Sequence, residues 1–159
     1  MIFTVGYANK KQSELIKLLR HHQIDYLIDV RLRTESQNKP EYSGAALRDI
    51  CSKIGADYEH HPEMAPPYAI LDAYRAGILD NHTFVRYLQW LYSAARDYVT
   101  KRRMVQIEDI ASAVEEHQNT CIISTLPFHQ PKHHQKMICH RWIISNLLSQ
   151  ATGQEVQHL

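Results

Sequence analysis

Three short runs of largely β-branched and aromatic residues, at positions 2–5, 26–30 and 120–125, constrain this chain's fold more than any other feature. Each is too short for a helix, and Leu15, Ile16, Leu18 and Leu19 recur at helical spacing between the first two. Strands separated by helices need crossover connections, which join parallel strands. Strands that read as nearly continuous apolar runs are covered on both faces. The expected fold class is therefore α/β: a single three-layer domain over residues 1–159, with a mainly parallel sheet of about five strands and a helix-rich middle.

The remaining segments extend the same alternation. Ser43 is placed to cap a helix whose Leu47, Ile50, Cys51 and Ile54 form one face and whose stop is Gly55. Residues 58–61 read as a short third strand and residues 155–159 as a terminal one. Asn81 opens the longest helical pattern, with Phe84, Leu88, Leu91, Tyr92 and Ala95 on one stripe. Ile107, Ile110, Ala111 and Val114 mark another helix, and residues 137–148 a last one. No linker, repeat or low-complexity tract interrupts the chain.

Charge narrows the function classes. Against 18 Lys plus Arg stand 17 Asp plus Glu, a net charge of +1 with the 11 histidines neutral. Such a balance excludes a protein that holds nucleic acid by its overall field, so any anion site must be local. The three cysteines, Cys51, Cys121 and Cys139, are odd in number and lack Cys-x-x-Cys spacing, as expected of a reduced, cytoplasmic protein. The start of the chain reaches Gly6, Asn9 and two lysines before a signal-peptide core forms, and no run approaches the roughly 18 apolar residues of a membrane span. No membrane partner is expected; self-association is left open.

In parallel sheets ligands bind beyond the carboxyl ends of the strands. Here those ends are residues 6–10, 31–42, 61–67 and 125–141, and they hold the motifs that carry a resemblance. Gly6-Tyr7-Ala8-Asn9, then Asp29-Val30-Arg31 followed by Ser36, Pro40, Tyr42 and Ser43, then Cys139-His140-Arg141, and the ending Glu155-Val156-Gln157-His158-Leu159 stand in this order. In this series the chain resembles the bacterial and archaeal domain-of-unknown-function family numbered 488, over almost its full length. The resemblance implies the fold and nominates positions without supplying a reaction. The chain departs from the family pattern at Thr34, usually proline, at Met64-Ala65-Pro66, where a Leu-Gly-Gly turn is common, and at Ser124-Thr125, where Cys-Ala-Glu is typical.

Cys139-His140-Arg141 falls at an expected helix start, where free N–H groups and the helix dipole favour an anion and Arg141 adds a fixed charge. The same setting favours a thiolate, making Cys139 a candidate nucleophile with His140 beside it; the alternative is a packed cysteine and a structural arginine. Asp29 and Arg31, two apart at a strand end, point to the same side of the sheet. Either Arg31 holds a phosphate while Asp29 orients it, or the two form a structural pair. Asn9 and Ser36 are candidate hydrogen-bond donors to the ligand, with Arg33 in the same set. Asp-Val-Arg is also similar to rhodanese-type sulfurtransferases, but no cysteine stands at a strand end before a cradle loop here.

His129, His133, His134 and His140 crowd one loop without a recognised zinc spacing. No metal and no cofactor are therefore expected. The doublets His21-His22 and His60-His61 read as surface residues. Lys101-Arg102-Arg103 with Lys132 and Lys136 form a candidate basic rim, and Tyr42, Tyr58, Tyr68 and Tyr74 candidate stacking faces. The expectation is an anion site at the sheet's carboxyl edge, in an enzyme acting on a phosphate-bearing ligand such as a nucleotide or nucleic acid. Arg31 and Arg141 would clamp the anion, Ser36 and Asn9 would donate hydrogen bonds, and Cys139 or His140 would carry any covalent or acid-base step. The alternatives are a non-catalytic nucleotide- or nucleic-acid-binding adaptor and a protein-interaction domain built on residues 69–114.

Overall fold

The structure is a computed structural model, and it describes residues 1–35, 38–93, 107–126 and 137–159. Five strands, β1 (Ile2–Gly6), β2 (Tyr26–Asp29), β3 (Asp57–His60), β4 (Thr120–Ser124) and β5 (Val156–His158), form one sheet in the order β3-β2-β4-β1-β5. Every pairing is parallel. The expected α/β class is borne out, with strand ends within one or two residues of the sequence reading. β1, β2 and β4 are buried at every position because helices cover both faces of the sheet, whereas β3, at an edge, alternates exposed and half-buried residues.

Helices α1 (Gln12–His21) and α2 (Gly44–Ile54) cover one face, packing Leu15, Leu19, Leu47, Ile50 and Cys51 against Phe3, Val5, Leu27, Cys121 and Ile123 of the strands. The strand residues of alternate parity, Ile2, Tyr26, Ile28 and Ile122, face the opposite layer. That layer is built by α3 (Tyr68–Arg75), α4 (Asn81–Ser93), α5 (Ile107–Glu115) and α6 (His140–Thr152). The helix-rich middle is thus the second layer, and α3 is a separate short helix that apolar periodicity alone does not set apart.

α2 starts and stops where its residues dictate. The Ser43 hydroxyl accepts from the Ala46 N–H at 3.2 Å, and Gly55 ends the helix at φ 76°, a left-handed conformation that costs a side-chain-bearing residue. α6 runs Cys139 as N-cap to Gly153, also left-handed, so the cysteine does sit at a helix start. Among the described residues no helix is long and apolar enough to cross a membrane.

Because Leu47 is fully buried and Ile50 is 4% exposed against the sheet, Leu47→Ala and Ile50→Ala should each cost roughly 2–5 kcal/mol. Urea midpoints unchanged by both would show that this helix face is not core.

Candidate functional site at the carboxyl edge of the sheet

β1 and β4 are neighbours whose following helices, α1 and α6, go to opposite faces, the arrangement that opens a ligand crevice in doubly wound sheets. Here that crevice is filled. A Cβ on Gly6 would lie 1.6 Å from the Leu126 carbonyl oxygen and 2.6 Å from Arg141 Nη1, so glycine is what lets the β4 exit close over β1. The open cleft lies one strand over, at the ends of β2 and β4, with a volume of about 280 Å3. Arg31, Ser124, Cys139 and His140 all line it, together with Arg33 and the start of α3. Arg31 and Cys139 are far apart in sequence and share one cleft.

Arg31 is 6% exposed and its guanidinium is almost fully engaged. Nε donates to Asp29 Oδ1 at 2.8 Å, Nη2 to Asp29 Oδ2 at 2.5 Å, and Nη1 both to the Tyr7 hydroxyl at 3.1 Å and to the Tyr42 carbonyl at 2.8 Å. Four of the five N–H donors are therefore committed. Burial by itself would lower the Arg31 pKa, but the Asp29 carboxylate more than reverses this and holds it above its ordinary value. The Tyr58 hydroxyl also donates to Asp29, at 2.9 Å. The two-residue spacing thus produces a buried fork-to-fork pair, the structural alternative for these residues.

Two histidines secure the chain beyond this pair. His140 Nε2 lies 2.9 Å from the Val30 carbonyl and His60 Nε2 2.7 Å from the Arg31 carbonyl. A carbonyl only accepts, so both Nε2 atoms carry hydrogen. Nδ1 of His140 is then the nitrogen available to its neighbour Cys139, whose thiol pKa this imidazole helps to lower. His60 is consequently not a free surface residue, and neither is His61, held between Glu59 at 3.0 Å and Glu63 at 2.6 Å.

Cys139, 2% exposed, has its sulfur 3.3 Å from the Ser124 hydroxyl. Arg141 Nη1 donates to that hydroxyl at 3.0 Å and also to the Leu126 carbonyl. With one lone pair of Ser124 occupied by Arg141, the hydroxyl can donate its hydrogen to a thiolate or accept one from the thiol. Burial raises the thiol pKa, but the hydrogen bond and charge of His140, the Arg141 cation and Ser124 outweigh it and bring the group down to about 7. Burial pushes Cys51 and Cys121 up to about 12, Cys121 despite the pull of the Arg141 cation. Arg141 is 1% exposed, its Nε has no hydrogen-bond partner, and no carboxylate among the described residues pairs with it. Burial accordingly lowers its pKa, against the opposing pull of Cys139. A thiolate at Cys139 would be its counter-charge.

Other nominated residues fall elsewhere. Asn9 is exposed on the turn after β1 and does not line the cleft. Ser36, His129, His133, His134, Lys132, Lys136 and the 101–103 basic run lie outside the described residues. Of the four tyrosines considered as stacking faces, Tyr42 is buried and stacked on Tyr7, Tyr74 is buried against Phe84, and Tyr58 is half-buried on Asp29. Tyr68 alone of these is exposed, at 48%. Sequence reasoning missed Ser124, His60 and the structural use of Tyr7, since a serine at a strand end carries no pattern of its own.

The model of the domain of unknown function DUF488 matches residues 11–148. The chain belongs to this family. No curated protein and no solved structure shows significant similarity to it. Membership brings the Asp29-Val30-Arg31 and Cys139-His140-Arg141 segments under one family profile, and it assigns neither of them a reaction.

Removing half of the buried fork should be costly: Arg31→Lys keeps the charge but loses the planar contacts to Asp29, Tyr7 and Tyr42. A loss of about 2–4 kcal/mol in denaturant titrations is expected, larger for Arg31→Ala. The thiol gives a pH prediction. Its folded pKa of about 7 lies below its ordinary 9.0, so its stabilisation is fully present above pH 9 and is lost as pH falls through 7. Relative to Cys139→Ala, wild type should therefore gain of order 2 kcal/mol between those limits; parallel stability curves for the two proteins would show that the thiolate is not the folded form.

Proposed function

We propose that this protein is a cytoplasmic enzyme that binds a phosphate-bearing ligand, a nucleotide or a nucleic-acid end, in the cleft at the carboxyl edge of its sheet, and that Cys139 is its nucleophile. The observation that carries this reading is the convergence of Ser124, His140 and Arg141 on one sulfur bordering an arginine-lined cleft. A structural cysteine needs no hydrogen-bond donors, and a buried arginine is rarely left to a thiol. The arrangement matches an activated nucleophile with a base whose far nitrogen is fixed, here by the Val30 carbonyl. Three free, buried cysteines fit a reducing compartment.

His140 is the proton acceptor for the thiol, Ser124 and Arg141 stabilise the thiolate, and Asp29 and Arg31 position the cleft wall rather than grip the ligand. The 2% exposure of Cys139 favours a second reading, an adaptor that binds the same anion and performs no reaction.

Alkylation by iodoacetamide separates the two. A catalytic Cys139 should react in the native protein with a midpoint near pH 7, at least about tenfold faster than Cys51 and Cys121, whose thiols are pushed up to about 12. His140→Asn should move that midpoint upward. Alkylation of all three cysteines only after denaturation would leave the adaptor reading standing.

A further inference from the structure

The cations around the cleft are not equivalent. Arg31 faces both oxygens of Asp29, and Arg141 binds the Ser124 hydroxyl that lies against the Cys139 sulfur, so with Cys139 as a thiolate the floor of the cleft carries little net charge. Two further guanidinium groups stand exposed at its mouth. Arg33, on the segment after β2, has no ion-pair partner among the described residues, and Arg75, at the end of α3, has only exposed Asp72 at 3.6 Å. No described residue lining the cleft is an aspartate or a glutamate. The surplus positive potential therefore lies at the mouth, whereas a phosphate dianion on the floor would meet a thiolate.

The mouth also has a flat, exposed surface. Tyr68, Leu71 and Arg75 recur at i, i+3 and i+7 and present one face of α3 to the cleft. The Arg33 guanidinium carbon lies 5.5 Å from the centroid of the exposed Tyr68 ring. A ring and a guanidinium plane held together are a platform on which a nucleobase stacks. The cleft's 280 Å3 is at the small end of ligand pockets, the size for one nucleotide unit.

Building on the reading of Cys139 as the reacting thiolate, we propose that Arg33 and Arg75 hold the phosphate of a nucleoside-monophosphate-type ligand at the mouth, with its base against Tyr68. The phosphate is a handle. It keeps phosphorus at the mouth, away from Cys139.

Calorimetric titration with adenosine 5′-monophosphate, adenosine and inorganic phosphate tests this on wild type, Arg33→Ala, Arg75→Ala and Cys139→Ser. The monophosphate should bind more tightly than adenosine. Each arginine substitution should weaken it about tenfold or more with the melting temperature unchanged, and added salt should weaken wild-type binding. Cys139→Ser should leave its affinity within about threefold. Wild-type affinity in both arginine variants would overturn the proposal, as would no binding of the monophosphate at millimolar concentration. Phosphate binding that tightens about tenfold in Cys139→Ser would do the same, because it would place the anion on the floor. Rapid Cys139 alkylation without nucleotide binding sinks the mouth site and spares the thiolate. Nucleotide binding that depends on both arginines, with native Cys139 inert to iodoacetamide, does the reverse.

Discussion

The pair between Asp29 and Arg31 is the contact on which the carboxyl edge of this sheet depends. Two charges so deeply buried are stable only when their remaining hydrogen-bonding capacity is met, and the surrounding partners come from three separate segments. Tyr7 follows β1, Tyr42 precedes α2, Tyr58 sits on β3, and His60, at the end of β3, takes the carbonyl of Arg31 itself. The Asp29 and Arg31 pair, with the Arg31 carbonyl, thus fixes the exit of β1, the loop before α2 and the edge strand relative to the end of β2. The stacked Tyr7 and Tyr42 rings, 4.4 Å apart, close the same knot from the apolar side.

This knot explains why the Asp-Val-Arg segment and the reactive-looking cysteine belong to one apparatus. Val30, between the paired residues, has its carbonyl bound by His140, so the imidazole beside Cys139 takes its orientation from the segment that Asp29 and Arg31 hold. The route from a buried ion pair to a thiol runs through one backbone carbonyl and one imidazole tautomer. Arg141 acts from the other side, through Ser124, and has no carboxylate of its own among the described residues. Its charge is therefore left to act on the sulfur.

The fold was legible in the sequence because burial on both faces imposes itself on every strand residue, and because Ser43 and Gly55 do by backbone chemistry what their residue types announce. The positions of Asp29, Arg31, Cys139 and His140 on one edge were legible for the same reason: strand ends and helix starts of a parallel sheet fall together. What was not legible was use. Arg31 as clamp and Arg31 as tie have the same sequence, and only Tyr7, Tyr42 and both oxygens of Asp29 around its guanidinium distinguish them. Ser124 and α3 were missed because single polar residues and eight-residue helices leave no periodic trace.

The location of the cleft follows from a glycine. In a doubly wound sheet the strands whose helices diverge, here β1 and β4, would normally part to admit a ligand. Gly6 instead lets the Leu126 carbonyl reach β1, where Arg141 binds it, and the crevice is closed by the protein's own backbone. The space left is the groove between the ends of β4 and β2, bordered among the described residues by α3. That helix belongs to the middle of the chain, the part least marked by the motifs at either end. In the proposed reading, recognition at the mouth falls to Arg33, Tyr68 and Arg75, and the chemistry on the floor to Cys139 and His140. Such a division lets the ligand change through α3 without disturbing the thiol, because no hydrogen bond joins Arg75 or Tyr68 to the Ser124, Cys139 and Arg141 group.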